Sequence, residues 1–301
     1  MDNSKFQTEI HPILVDCQKL LDRASALIGG NNAVVLVETE GMYPDLVYAF
    51  HKLVRKLPPG NGIDVILHSF GGTTDAASSI ASLCKERFGS FRVIVPFQAK
   101  SAATLLALAA DDRLLPCSAQ FGPVDPQVRH PEKGMWFPAH SIKEALDKVE
   151  ATKDAIVKMA MADKLDPLLI GAYQDAISAS KQYIEEVVEG WTSSDKDTIV
   201  STFVDKYKSH GYPIGRTMLR AINAPFTPID GETEEVVCDL HEKCFDLIDD
   251  DEALGAIILT KEEYFFRLGD FKESGKFSTV HAPSAITQPA AQPRQASAAA
   301  Q

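Results

Sequence analysis

The chain has 301 residues, 45% hydrophobic and 24% charged, with 30 basic against 42 acidic side chains and a net charge of −12. A chain of this length can bury roughly 75% of its unfolded surface without disulfide or metal staples, and the composition excludes collagen-like, coiled-coil and wholly disordered classes. The acidic balance argues against a broad basic face for nucleic acid, no apolar run nears the roughly 18 residues of a membrane span, and the opening MDNSKFQTEI lacks the basic and apolar regions of a secretory signal.

Residues 9–28 carry apolar side chains at helical spacing, and Gly29-Gly30 stops them. AVVLV at 33–37 reads as a buried strand, and 45–57 as an amphipathic helix ended by Pro58-Pro59-Gly60. IDVIL at 63–67 is a second strand and 75–88 a helix. FRVIVPF at 91–97 is a third strand, followed by an apolar helix at 101–110. RLLPC at 113–117 and AQFGPV at 119–124 are short extended pieces. The second half reads as helices over 141–164, 166–189, 195–208, 215–222 and 232–249, with AIIL at 256–259 as a returning strand. Strands alternating with helices predict α/β layering with mostly parallel pairing. From Thr279 the chain is rich in Ala, Pro, Gln and Ser, a composition that cannot repay its ordering entropy.

Two strand-to-helix turns could carry chemistry. His68-Ser69-Phe70-Gly71-Gly72-Thr73 follows the second strand, and paired glycines leave backbone N–H groups open to an anion or oxyanion. Lys100-Ser101-Ala102 follows the third, with Ser101 at the start of a small-residue helix. Taken singly, the first could be a tight turn and Ser101 a helix cap. Right-handed crossovers place both turns on one sheet edge. Ser101 would then face the Gly72 amide, with the Ala102 N–H as second donor. That is an acyl-transfer arrangement lacking a base.

Other candidates are weaker. Cys238, His241 and Cys244 fall at i, i+3 and i+6 without a fourth ligand for zinc. The eleven acids of 230–252 lack the alternation of a calcium loop. Trp136 and Trp191 suit packing. No nucleotide motif occurs, so no cofactor is expected. Five scattered cysteines without a CxxC pair fit a reducing, cytoplasmic setting.

The runs HSFGGTTDAASSIASL, VIVPFQAKSAATLLALAADDRLL and AQFGPVDPQV resemble the Clp-peptidase/crotonase superfamily. Within it they are most similar to the serine dehydrogenase proteinase branch, related to signal peptide peptidase A. His210-Gly211-Tyr212-Pro213-Ile214 resembles that branch's H-D-Y-P-I stretch. Phe70, Ala103 and Gly211 depart from its usual proline, glycine and acid.

The resemblance implies a Clp/crotonase-like spiral of ββα units with a helical C-terminal part. It divides the chain into an N-terminal helix (1–30), a protease domain (31–278) and a tail (279–301). It implies a metal- and ATP-independent serine endopeptidase acting on peptide or protein substrates, self-assembled into a homo-oligomer. Ser101 is then the nucleophile and Gly72 and Ala102 form the oxyanion hole. A serine–lysine dyad would draw its base from Lys143, Lys148, Lys153, Lys158 or Lys164. Lys153, 52 residues after Ser101 and flanked by Val149, Ile156 and Val157, is the first choice, since burial lowers a lysine pKa. A Clp-type histidine would be His130 or His140, and His210 is a further candidate. The rival readings are a CoA-thioester enzyme of crotonase type and a catalytically silent scaffold.

Overall fold

The computed structural model describes residues 2–129, 136–191, 195–249 and 253–277. Thr279 onward and His130 therefore lie outside the described residues. The chain starts with a short turn α1 (Asn3–Lys5), a wide turn Phe6–Ile10 and helix α2 (His11–Ile28). Then come β1 (Asn32–Glu38), α3 (Pro44–Val54), β2 (Ile63–Ser69), α4 (Thr74–Phe88), β3 (Phe91–Ile94), β4 (Gln98–Ala99), α5 (Ala102–Leu108), β5 (Asp112–Leu115) and β6 (Gln120–Phe121). A hairpin β7 (Gln127–Arg129) and β8 (Trp136–Pro138) leads into α6 (His140–Ala151), α7 (Ala155–Ala162), α8 (Pro167–Val188) and α9 (Lys196–Val204). The chain returns through β9 (Ile214–Gly215), α10 (Arg216–Ala221), β10 (Thr227–Pro228), α11 (Gly231–Phe245), β11 (Gly255–Leu259), β12 (Glu263–Leu268) and β13 (Phe271–Lys276).

The main sheet runs β10-β5-β3-β2-β1-β11-β12-β13. It is parallel from β10 to β1 and antiparallel from β11 onward. Period-two alternation divides each central strand between two cores. Val34 and Leu36 of β1 join Phe50, Ile80, Leu106 and Phe203 on one face. Val35 and Val37 join Leu14, Leu21, Val237 and Leu240 on the other, under α2 and α11. A strand buried on both faces has no polar side to show, which is why β1 and β2 read as continuous apolar runs. The small strands β4, β6 and β9 form a second tier. It meets the main sheet where Ala99 of β4 pairs with Ser69 of β2. This turning of short strands about a parallel sheet is the Clp-like fold.

Two departures from the sequence reading have clear causes. The helix expected over 141–164 breaks at 152–154. Asp154 there accepts from the Ile156 and Val157 amides and starts a new helix, α7. The strand at 256–259 is joined by the hairpin β12–β13, turned by Gly269 at φ 55°. That hairpin anchors the N-terminus, since Phe6 packs on Phe266 and Phe271 at ring-centroid distances of 5.4 and 5.5 Å. Phe6→Ala should therefore lower unfolding stability by about 3 kcal/mol. Leu254→Ser, at a side chain exposed in the structure, should change it by less than about 0.5 kcal/mol. Urea titration measures both, and equal effects would refute this account of the anchor.

Candidate active site

Strand β2 ends at Ser69, and Phe70, Gly71, Gly72 and Thr73 carry the chain into α4. Gly71 and Gly72 hold φ of 118° and 129°, open to glycine and costly for other residues. Space enforces the same choice. A Cβ on Gly71 would stand 2.8 Å from Ser101 Cβ, and one on Gly72 would stand 2.3 Å from the Met42 carbonyl oxygen. The Met42 amide donates to the Gly71 carbonyl at 2.7 Å, and the Thr73 amide donates to the Met42 carbonyl at 3.0 Å. These bonds occupy the groups on either side of Gly72 and leave its own amide unused by that ladder.

Ser101 stands between β4 and α5 at φ 51° and ψ −121°. Among the described residues, Ser101 and Asn223 are the two that are not glycine and have positive φ. Asparagine tolerates that region, whereas serine there is strained by about 1–3 kcal/mol. The Ser101 side chain makes no capping hydrogen bond, so the cap reading does not account for it. The strand-to-helix turn around it is fixed from below. The Lys100 amide donates to the Ser69 carbonyl at 3.0 Å, and every residue of α5 is buried. Thr104 Oγ1 lies 2.8 Å from the Ala99 carbonyl oxygen and accepts from the Gly122 amide at 3.1 Å, tying α5 to β4 and β6.

Ser101 opens into a cleft of about 550 Å³ that Tyr43, Phe70, Gly72, Asp125 and His210 also line. His210 Nδ1 lies 2.6 Å from Asp125 Oδ1. Gln127 Nε2 donates to Asp125 Oδ2 at 2.9 Å. Asp125 is 1% exposed, and a buried carboxylate needs such donors. An ionised Asp125 can only accept, so this contact would take its hydrogen from His210 Nδ1. Asp125 belongs to the GPVDPQ run that follows β6. Its pairing with His210, 85 residues away, has no local signal.

The other base candidates are elsewhere. Lys153 is exposed on the α6–α7 connection and is absent from the lining of the Ser101 cleft. The apolar neighbours expected to bury it do not, since Ile156 is 78% and Val157 49% exposed. Asp154 draws the chain out of the helix that would have covered Lys153. Lys148, Lys158 and Lys164 are exposed as well. His140 and Lys143 line a neighbouring cleft of about 560 Å³ beyond Asp125, where His140 Nε2 lies 2.9 Å from the Val204 carbonyl oxygen. Lys100 is buried, and burial lowers its pKa, but its ammonium donates to the Phe121 carbonyl at 3.3 Å. Gly122 packs on its stem.

The Cys238, His241 and Cys244 set does not converge. His241 stacks on His68 with Nε2 2.6 Å from His68 Nδ1, and Cys244 is buried against Cys17. Among the described residues no cluster of three or more His, Cys, Asp or Glu could hold a metal ion. Trp191 is a packing residue, with the Arg113 guanidinium 4.6 Å from its ring. No described helix is long and apolar enough to cross a membrane.

Residues 48–242 match the model of the ClpP-like SDH-type serine proteinases. The chain belongs to that family. It is 32% identical over 164 residues to the uncharacterized protein MJ0137 of Methanocaldococcus jannaschii, covering 54% of this chain and 52% of that one. It is 29% identical over 173 residues to the uncharacterized protein MJ1495 of the same organism, covering 57% and 54%. The chain thus spans about half the length of the curated relatives it matches. Among solved structures it is similar to a mutant of the 1510-N membrane-bound stomatin-specific protease, with TM-score 0.41, 13% identity and coverage of 66% and 76%. It is also similar to ClpP1 from Listeria monocytogenes, with TM-score 0.43, 14% identity and coverage of 71% and 96%.

Burial pushes the His68 and His241 pKa values down to about 3 and about 4, so both stay neutral in the folded protein. A group whose folded pKa lies below its unfolded value of about 6.5 contributes stability that is full above that pH and is lost as pH falls. Unfolding stability should therefore drop between pH 6.5 and 4. His68→Asn should flatten that fall, measured by urea titration at each pH. An unchanged slope in the variant would show that the pair does not govern acid sensitivity.

Proposed function

We propose that the chain is a serine endopeptidase in which Ser101 attacks the scissile carbonyl of a peptide or protein substrate. The observation that carries this reading is Ser101 itself, held at a strained φ against Gly71 and sharing one cleft with a histidine oriented by a buried aspartate. His210 Nε2 takes the serine proton as the Oγ–carbonyl bond forms, and Asp125 stabilises the resulting imidazolium. The Gly72 and Ala102 amides receive the oxyanion. Collapse of the tetrahedral intermediate breaks the C–N bond, and His210 returns its proton to the leaving amine. Water, activated the same way, then releases the acyl group. No step calls on a metal or a nucleotide.

This reading replaces a serine–lysine dyad with a serine–histidine–aspartate set. A solvated lysine stays protonated near neutral pH and cannot accept the serine proton. The chain order is Ser101, Asp125, His210, and such sets are recognised by geometry rather than by order. Self-association belongs to the same proposal. Ile156, Met159 and Leu168 are 78%, 72% and 84% exposed along α7 and the start of α8, an apolar strip suited to contact with further copies.

A fluorophosphonate probe and a fluorogenic casein test the chemistry. Wild type should be labelled at Ser101, and Ser101→Ala should lose both labelling and hydrolysis while melting within a few degrees of wild type. His210→Ala should slow both by about 10²- to 10⁴-fold, with Asp125→Asn also slow. Lys153→Ala should stay within about twofold of wild type, since nothing in the geometry couples it to the reaction. A dead Lys153→Ala beside an active His210→Ala would return the base to the lysine. Failure of wild type to react would favour the thioester or scaffold readings. Sedimentation at micromolar concentration should give multiples of the monomer mass.

A further inference from the structure

Beneath the Gly71–Gly72 turn lies a carboxyl group that the chemistry above does not use. Glu38, the last residue of β1, is fully buried and stands opposite Ser69 in the β1–β2 register. Its Oε1 accepts from the Ser69 hydroxyl and its Oε2 from the Gly41 amide. The Phe70 and Gly71 amides also act on it as donors. Ser69 Oγ in turn accepts from the Gly71 amide at 3.0 Å. One carboxylate therefore gathers the two segments that wall the cleft: the one leading to Met42 and Tyr43, and the one carrying Gly71 and Gly72.

We propose that Glu38 is the positioning residue of the oxyanion turn, its carboxylate acting through the Ser69 hydroxyl to hold the Gly72 amide in place beside Ser101. The inference rests on the peptidase reading and adds a means of regulating it. As an ionised group Glu38 only accepts, and every neighbour named above donates to it. Once protonated, its O–H must itself donate, and Ser69 Oγ is the oxygen next to it. The Ser69 hydroxyl hydrogen then has to turn toward another acceptor. The Gly71 carbonyl oxygen lies 3.4 Å away and already receives the Met42 amide. The direction of the Glu38–Ser69 bond reverses, the amides lose a charged acceptor, and the turn is held more weakly.

The surroundings place this change near neutral pH. Burial raises the Glu38 pKa to about 7, against the lowering effect of the Ser69 hydroxyl and the three amides. The charged group that faces it is Arg267 on β12, which is engaged with Glu40 and with Asp45 of α3. From β11 the residue in register with Glu38 is Ala256, and from β2 it is Ser69. Ionisation of Glu38 as pH rises through 7 should therefore switch the site on.

The test is the rate of fluorophosphonate labelling of the full chain from pH 5 to 9. Wild type should show a rising limb to which Glu38 contributes an ionisation near pH 7. Glu38→Gln should label about tenfold more slowly at pH 8, less than the 10²- to 10³-fold that outright loss of an oxyanion donor costs. It should also lose that ionisation from its profile. Ser69→Ala should slow labelling to the same degree, and the double variant should be no slower than either single one, because both cut one chain. Stability gives a readout independent of activity. Glu38 has a folded pKa above its unfolded value, so its contribution is full at low pH and is lost as pH rises through 7. The stability of wild type relative to Glu38→Gln should thus rise as pH is lowered from 8 to 5. Should Glu38→Gln fail to fold, Ser69→Ala and its pH profile decide alone. An unlabelled wild type overturns the peptidase reading. A labelled wild type whose variants match it in rate and pH profile overturns this inference and leaves that reading standing.

Discussion

Strands β2 and β4 end side by side, with Ser69 opposite Ala99, and the chains leaving them pass at backbone contact. Gly71 has no room for a side chain there, because Ser101 fills the space a Cβ would need. Most of the site is built to hold that approach. Met42 clamps the glycines from one side, and Thr104 ties α5 to β4 and β6 from the other. The strain at Ser101 is carried by a helix whose seven residues are all buried and which cannot shift without opening the core. A strained serine on a rigid, apolar support keeps its hydroxyl presented without a cap to satisfy.

The polar groups buried in the sheet divide by position. At the start of β2, Asp64 is matched by the Arg92 guanidinium at 2.6 and 2.7 Å and by Asn31 at 3.1 Å. That pairing ties β2 to β3 and to the chain entering β1 at this edge. At the other end of the parallel strands lie Glu38, His68 and Ser69, in adjacent register rows. There Glu38 has a hydroxyl and amides as its direct partners, and His68 has a second imidazole. With neutral partners, burial decides their state: it keeps His68 uncharged and raises the Glu38 pKa to about 7. Binding sites of parallel α/β sheets gather at this same edge, where strand ends and helix starts leave backbone groups open.

The sequence showed the central strands, most of the helices and both turns, because these signals are local. Gly71-Gly72 and the small residues after Ser101 declare close backbone approach wherever they stand. His210 stood among the candidates, but its pairing with Asp125 was not legible, since the two meet only through the path of α6 to α9 between them. The cover expected over Lys153 is missing because of a single residue: apolar spacing continues from Val149 through Val157, but Asp154 is a strong cap and divides the helix there. The β12–β13 hairpin was missed because EYFFRL packs aromatic residues on both faces and does not alternate. Glu38 was hidden for the opposite reason. One acid at the end of an apolar strand looks like the first solvated residue after it, and nothing local reveals that Gly41 folds back to bury it.

Access and orientation separate the three basic groups weighed for Ser101. Lys100 is adjacent in the chain and desolvated, but its ammonium is committed to the Phe121 carbonyl and its stem is packed under Gly122, so it serves as filling between β4 and β6. Lys153 has solvent but no cover, and a covered lysine is the one whose proton leaves. His210 is half-buried, lines the same cleft as the serine, and has one nitrogen pinned by a buried carboxylate. Pinning Nδ1 leaves the other nitrogen as an acceptor with a set direction. His210 joins a ring held by a buried carboxylate to a cleft shared with Ser101, which is why the proposed mechanism gives it the serine proton.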